Sequence, residues 1–370
     1  MQINQQIDPI INSIIEQELV LKQEHCLKQG QEIRKGIQSQ TADPGKLNIF
    51  LKNGLVGKCL FLFWYSNYVK ETKYRDLAYN MFSIVQQNID INDNLSFDNG
   101  LLGIVFSCAY SIDKKYILGD IDRVCRVVDD FMYVYIARRQ ESKTFLEESI
   151  CFILDYMLYL SYRLEVSFKE RMERTLYVKF LIYWFNKLYQ NHSLEFFEEP
   201  SPESSRYNSA KLFVLISKMY HLNIERERLL RILDELKHRV LYKIPYLMYN
   251  RVVYLCALKE MARNIPLDSD WNGYVKMIEK CVSISQLVNN ETDNRSLFGE
   301  SGLLSLYVWM RYVNRNGMVV PIPYQEILSK CEIFFSSYYT DLANKEEYIK
   351  EGLYGRLGVI MMYYDIKNKI

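Results

Sequence analysis

The sequence has almost no net charge. Its 46 Lys and Arg residues are balanced by 45 Asp and Glu residues, which leaves a formal charge of +1. No run of basic residues reaches five, so the chain lacks the positive surface that attracts phosphate backbones or anionic lipid. This balance predicts that nucleic acid is not a partner, and it identifies no other partner.

Long apolar runs and closely spaced cysteines are also missing. The most apolar stretches, GLVGKCLFLFWY and FLIYWF, are too short and too interrupted to cross a bilayer, which predicts no membrane insertion. The N-terminal residues lack a basic segment followed by a long apolar one, so no signal peptide is predicted. The eight cysteines are spread along the chain, and several lie in apolar runs, a pattern typical of reduced, buried thiols. These features predict a cytoplasmic protein.

Strand signals are scarce, and several common catalytic motifs are absent. The Asn-Gly pairs that precede Leu open apolar helical runs rather than hairpins. Nothing matches a Walker loop, a dinucleotide fingerprint or a G-x-S-x-G nucleophile elbow. The predicted fold class is therefore all-α.

A repeated segment is the main signal that is present. Four segments share a G-x-x-G step running directly into an apolar helix: NGLVGKCLFLFWY, NGLLGIVFSCAY, FGESGLLSLYVWM and LYGRLGVIMMYY. Three weaker copies fill the intervals: ESICFILDYMLYLSY, YNSAKLFVLISKMY and YNRVVYLCALKEM. The copies recur about every 50 residues, which is enough for two helices and their loops. The first glycine of each copy, or its substitute, stands at position 54, 100, 149, 208, 250, 299 or 355.

This repeat predicts an α/α toroid of about seven helical hairpins in two layers. The helix after each glycine step is apolar nearly all round and is predicted to lie inside, whereas its amphipathic mate lies outside. The segment 223–242 has the outer pattern, with Asn223 as its predicted N-cap and one apolar stripe, Leu229, Leu230, Leu233, Leu236 and Val240. Because the last unit has none of the polar capping that ends an open array, the ring is predicted to close. We expect one domain over 1–370, with an N-terminal outer helix and linker in 1–46 and ring repeats in 47–370.

The glycine steps resemble those of the lanthionine cyclase-like (lanthionine synthetase C-like) family, whose seven hairpins form such a toroid. The resemblance covers about residues 52–367. Six-hairpin glycosidases and terpenoid cyclases share the ring architecture but differ in hairpin number or lack this glycine step. The resemblance implies a role in a lanthipeptide-type peptide-modification pathway, with a precursor peptide or a dehydratase-like protein as partner.

Active members of that family use a zinc ion to deprotonate the attacking thiol, whose pKa is otherwise about 8.5. The family's Trp-Cys-Tyr-Gly segment, which supplies one ligand, falls here on Leu247, Met248, Tyr249 and Asn250. Its Cys-His-Gly segment falls on Leu297, Phe298 and Gly299, and a further family histidine falls on Tyr207. The resemblance therefore implies no metal ion and no other cofactor, and leaves open whether the chain is an enzyme. None of the four histidines stands at a glycine step: His25, His192, His221 and His238.

The loops that precede the inner helices are predicted to meet at one mouth of the ring, where the N–H groups of the helix N-termini face the pore. Two interpretations of the acids there stay open, since acids at helix starts either cap the helix or bind a peptide or cation. The tyrosines either fill the pore or contact substrate. The predicted substrate-binding residues are Asp98, Asn99, Glu148, Tyr207, Asn208, Tyr249, Asn250, Arg251, Glu300, Ser301, Glu351 and Arg356.

Three functions from different classes are compatible with these residues. The first is a cyclase-like protein that binds a peptide at the ring mouth and has lost thioether cyclisation. The second is a metal-free toroid enzyme with glycosidase-like chemistry, in which carboxylates such as Glu147 and Glu300 act as a pair. The third is a non-catalytic scaffold that binds partner proteins. No catalytic residue is assigned.

The departures from the family's ligand positions predict that the purified protein holds no stoichiometric zinc, because Leu297 and Phe298 have no donor atom and Met248 has only a weak one. Elemental analysis after mild chelation measures this directly. Zinc retained at about one ion per chain would mean that the repeats are out of register or that the site has moved.

Overall fold

A computed structural model describes residues 48–89, 94–139, 150–167, 171–191, 208–290, 302–314, 321–341 and 353–369. Within these ranges the regular secondary structure is helical and contains no strand, which confirms the all-α prediction. The helix predicted in 1–46 lies outside them. The helices are α1 (Leu55–Val69), α2 (Thr72–Asn88), α3 (Leu101–Asp113), α4 (Ile121–Arg139), α5 (Ile150–Val166), α6 (Arg171–Asn191), α7 (Asn208–His221), α8 (Arg226–Val240), α9 (Met248–Asn264), α10 (Ser269–Lys280), α11 (Ile284–Asn290), α12 (Leu303–Val313), α13 (Tyr324–Asp341) and α14 (Arg356–Lys367).

The chain forms two compact units. The terminal unit contains Asn53–Ile89 and the described residues from Leu328 onward, and hence α1, α2, most of α13 and α14. The central unit contains Phe50–Lys52 and the described residues of Asp90–Ile327, and hence α3 to α12. The single ring-shaped domain stays a prediction.

Helices begin at the predicted glycine steps. Gly54, Gly100 and Gly355 are the N-caps of α1, α3 and α14. The cap of α12 is Gly302, the second glycine of its step rather than the first. Among the weaker copies, α9 begins at Met248, and α5 and α7 are helical from their first described residues. The repeat therefore places the apolar helices correctly.

Close backbone approach explains the glycines at the start of α3. A Cβ atom added at Gly100 would clash with the carbonyl oxygen of Asn94, and one added at Gly103 would clash with that of Phe97. The loop before the helix lies directly against its first turn, and the Leu101 N–H donates to the Asn94 carbonyl oxygen at 2.8 Å. Only a residue without a side chain permits this contact.

The apolar helices and the amphipathic helices differ in burial, as the sequence predicts. In α1 nearly every residue from Leu55 to Ser66 is buried, so this helix is covered on all sides. In α8 the buried residues form one stripe: Leu229, Ile232, Leu233, Leu236 and Val240. None of the helices that the structure describes is long and apolar enough to cross a membrane.

The predicted N-cap of α8 is wrong. Asn223 has a φ of 61° and lies in the turn that ends α7, where its N–H donates to the carbonyl oxygen of Tyr220 at 3.1 Å. The helix begins at Arg226, after Glu225, which caps it without a side-chain hydrogen bond. Asn tolerates the left-handed conformation better than most residues, so it serves the turn here instead of the helix start.

Hairpins and neighbouring inner helices make most of the packing contacts. In the central unit the pairs α3–α4, α5–α6, α7–α8 and α9–α10 pack together, and α3, α5, α7, α9 and α12 each contact the next in that order. Trp309 links α12 to α9, since its indole N–H donates to the Val253 carbonyl oxygen at 3.0 Å. In the terminal unit α1 packs against α2 and also against α14, where the rings of Tyr68 and Tyr364 lie 4.7 Å apart.

A buried ion cluster joins α4 to α5. The guanidinium of Arg163, which is completely buried, donates to Asp129 at 2.5 Å, Tyr159 at 2.7 Å, Asp122 at 3.0 Å and Ser167 at 2.8 Å. The Tyr159 hydroxyl also donates to Asp129 at 2.7 Å. Burial raises the pKa of Asp129 to about 6, although Arg163 opposes that shift. Each charge here depends on the others for its hydrogen bonds.

We expect Arg163→Met to lower the free energy of unfolding by about 3–5 kcal/mol, because it leaves a buried carboxylate without its partner. The matched control is Arg126→Met on α4, which removes a solvent-exposed pair with Glu173 and is expected to cost less than about 1 kcal/mol. Urea denaturation followed by circular dichroism measures both. Equal midpoints for the two variants would contradict this assignment.

Candidate functional site

Seven of the predicted site residues lie in the described ranges, each at or just before the start of an apolar helix. In the central unit these are Asp98, Asn99, Asn208, Tyr249, Asn250 and Arg251, and in the terminal unit Arg356. The others lie outside the described residues: Glu148, Tyr207, Glu300, Ser301 and Glu351. The predicted pair of Glu147 and Glu300 lies outside them as well.

The structure brings some of these residues into contact with neighbours at the helix starts. The Asp98 carboxylate lies 3.4 Å from the ammonium of Lys52. The Asn208 side-chain oxygen accepts a hydrogen bond from the Cys151 thiol at 3.2 Å, which connects the first turns of α5 and α7. Asn99 is exposed, whereas Asn250 is wholly buried and contributes to packing.

Arg251 binds the backbone of the loop that leads into α9. Its guanidinium donates to the carbonyl oxygens of Pro245 at 2.6 Å, Tyr246 at 3.1 Å and Cys281 at 3.5 Å. The hydroxyl of Tyr274 donates to the carbonyl oxygen of Lys243 in the same loop. Burial raises the pKa of Tyr274 to about 12, which keeps the phenol protonated as a donor. Two side chains from neighbouring helices therefore hold this loop in place.

The same loop exposes an apolar surface that the sequence analysis missed. Tyr242 is 85% exposed, Ile244 43% and Tyr246 75%, whereas Pro245 is buried. All three lie in the connection between α8 and α9, in which residues 241–242 form a turn and residues 246–247 a bend. The available signal was Pro245, because proline marks a loop after a helix, although it does not indicate which side chains are exposed.

Charged pairs line the contact between α5 and α7. Lys211 binds Asp155 at 2.5 Å, and Lys218 binds Glu165 at 2.8 Å. The ammonium of Lys218 also lies 5.3 Å from the ring centre of Tyr312 on α12. Burial raises the pKa of Tyr312, and Lys218 acts in the opposite direction. Lys218 of α7 thus contacts two other apolar helices, α5 and α12, near their C-terminal ends.

A second cluster of polar side chains lies at the C-terminal ends of α7 and α9. The Asn264 amide donates to Ser217 at 2.8 Å and to Glu260 at 3.0 Å, and Glu260 also pairs with Arg263. No sequence pattern identified these residues, because Ser217 and Asn264 stand 47 positions apart in the chain.

The buried thiols have little nucleophilic character. Burial raises the pKa of Cys125 and of Cys331 to about 12, and it also raises those of Cys108 and Cys256. None of the cysteines in the described ranges forms a disulfide. Within the same ranges no group of three or more His, Cys, Asp or Glu side chains is placed to hold a metal ion.

Leu247 and Met248, which the resemblance aligns with the family's Trp and zinc-binding Cys, lie at the start of α9. Leu247 is the N-cap residue of this helix and Met248 is its first residue. His221 and His238 are exposed, the first at the end of α7 and the second in the last turn of α8. His25, His192, Leu297 and Phe298 lie outside the described residues.

We expect Arg251→Lys to loosen the loop before α9, because a single ammonium cannot replace a guanidinium that contacts three carbonyl groups. Hydrogen–deuterium exchange should become faster at residues 243–247, and the free energy of unfolding should fall by about 1–3 kcal/mol. The matched control is Arg231→Lys at an exposed position of α8. Unchanged exchange in the loop would show that Arg251 does not hold it.

No protein-family model, curated protein or solved structure matches this chain. The resemblance to the lanthionine cyclases stays a prediction that rests on the glycine steps.

Proposed function

We propose that this chain is a cyclase-like α/α toroid that binds a peptide at one mouth of its ring and does not itself catalyse thioether formation. The observation that carries the proposal is the loop before α9. It presents two exposed tyrosines beside Tyr249 and Arg251, two of the predicted mouth residues, on a backbone held by Arg251 and Tyr274. Exposed aromatic side chains on a fixed backbone suit binding, because little conformational freedom is lost when a ligand arrives.

Two contacts support closure into a ring. Lys218 of α7 contacts both Glu165 of α5 and Tyr312 of α12, although α9 separates α7 from α12 in the order of apolar helices. Such a contact is expected when inner helices curve around a common axis. Within the terminal unit, the last helix packs on the first.

The loss of thioether chemistry is supported by the residues at the entrance of α9. Leu247 and Met248 stand where the family has Trp and a zinc-binding Cys. The buried cysteines stay protonated near neutral pH because burial raises their pKa values. Met248 therefore offers no thiolate ligand at this helix start, and the buried cysteines offer no activated thiol.

The two alternatives receive less support. The pair predicted for a carboxylate enzyme, Glu147 and Glu300, lies outside the described residues, and the described acids Asp155 and Glu165 on the apolar helices each bind a lysine. A protein-binding scaffold is compatible with the same exposed loop and differs only in its ligand. We further propose a precursor peptide or a dehydratase-like protein as partner and a cytoplasmic location, where the cysteines stay reduced.

The test is to incubate the protein with a dehydrated, Cys-containing peptide and to follow both binding and thiol loss. We expect binding with thiol loss at the uncatalysed rate. Acceleration by about a hundredfold, abolished in Arg251→Ala or Arg356→Ala, would overturn the non-catalytic function, since an arginine at a helix start can lower a thiol pKa. Absence of binding would favour the scaffold.

A further inference from the structure

Two amphipathic helices of the central unit expose apolar side chains to solvent. On α4, Val127 is 65% exposed and Val134 is 42% exposed, and on α6 the corresponding values are 48% for Leu176 and 36% for Tyr183. By contrast, the exposed positions of α8 hold only Arg, Asp, Glu or His. Single exposed apolar residues are common on protein surfaces, whereas rows of them on adjacent helices mark a surface that contacts another molecule.

Each of the two rows also carries one charge, and the two charges are opposite. Both rows have an apolar residue at position i, a charged residue at i+3 and an apolar residue at i+7. We call these six side chains the α4–α6 face: Val127, Asp130, Val134, Leu176, Lys179 and Tyr183. Asp130 and Lys179 are exposed, and neither forms an ion pair within the described ranges. The face therefore offers an acid on one helix and a base on the other.

Side-chain contacts show how the two helices lie beside each other. Arg126 of α4 donates to Glu173 of α6 at 2.7 Å, and the rings of Tyr133 and Phe180 lie 4.8 Å apart. Both contacts join residues 47 positions apart, so α4 and α6 run parallel. Because the two charged residues of the face are 49 positions apart, their heights along the helices differ by only about 3 Å at 1.5 Å of rise per residue.

The two rows point to the same side because both helices pack on α5. Asp129 of α4 accepts a hydrogen bond from Arg163 of α5 at 2.5 Å, and the ring of Phe180 on α6 lies 5.9 Å from that of Tyr156 on α5. Asp129 and Phe180 are buried, whereas the residues of the face lie on the exposed sides of the same helices. The rows thus lie next to each other on the surface that points away from α5.

We infer that the α4–α6 face joins two copies of this chain in a symmetric dimer. A two-fold axis that runs parallel to the helices and passes between them places α4 of each copy on α6 of the other. Asp130 then meets the partner's Lys179, and Lys179 meets the partner's Asp130, so one symmetry operation creates two ion pairs. In the same arrangement the valines of α4 pack against the partner's Leu176 and the partner's Tyr183.

The charge pattern favours a second copy over other occupants of this face. A two-fold interface uses the same surface on both chains, so that surface has to be complementary to itself. One acid and one base at nearly equal heights on two parallel helices meet this requirement. A surface that binds anionic lipid carries an excess of basic residues, whereas the charges of this face balance. The apolar rows supply contact area, and the ion pairs set the register of the two chains.

The experiment combines charge reversal in the full chain with sedimentation velocity from low to high micromolar concentration. We expect the parent to form a dimer as its concentration rises. Asp130→Lys and Lys179→Asp each bring like charges together across the interface, so each should weaken the dimer by about tenfold or more. An equimolar mixture of the two variants should dimerise as the parent does, because one chain then carries bases at both positions and the other carries acids.

Matched controls alter similar residues outside the face. Arg231→Asp reverses an exposed charge on α8 and should leave the dimer unchanged. Leu176→Asp should abolish the dimer, whereas Leu118→Asp, at a side chain that is 95% exposed in the same unit, should not. Circular dichroism melts check that all variants are folded. A parent that stays monomeric, dimers that persist in both single charge variants, or a mixture that dimerises no better than its components would overturn the inference.

Discussion

The need to enclose helices that are apolar nearly all round governs this structure. A helix such as α7, in which every residue from Ser209 to Met219 except Lys211 is buried, stabilises the fold only when other helices cover every side. Each buried Leu, Ile or Phe contributes about 1.5–3 kcal/mol, so an uncovered face would be costly. The amphipathic mate α8 covers one side, and the apolar helices α5 and α9 cover two others. The same requirement acts at the chain ends, where α14 packs on α1.

Polar residues within such layers have to satisfy one another. Arg163 uses its whole guanidinium on α4 and α5, and Lys211 and Lys218 each bind an acid of α5. These pairs fix how neighbouring helices are rotated about their axes, because a charge left without its partner inside the protein is expensive. These pairs also bind acids and lysines that could otherwise act as catalytic groups.

The loop before α9 lies at the surface, and its polar backbone groups are satisfied by side chains of α9 and α10. Its backbone carbonyls are bound by Arg251 and Tyr274, and this leaves Tyr242 and Tyr246 directed outward. Arg251 thus acts through the loop rather than as a free cation. The helix start itself is apolar, with Leu247 as its N-cap and Met248 as its first residue.

Hydrophobic periodicity and the absence of a side chain at Gly100 are local properties, so the amino-acid sequence was enough to predict the helical class, the positions of the apolar helices and their glycine caps. It placed the α8 cap at Asn223 wrongly, since whether Asn ends one helix or starts the next depends on the path of the turn. The structure was needed to show that Arg251 holds a loop, that Asn250 is buried and that Tyr242 and Tyr246 are exposed. Those properties arise from contacts between residues far apart in the chain, such as Tyr274 with Lys243 and Arg251 with Cys281, which no local pattern encodes.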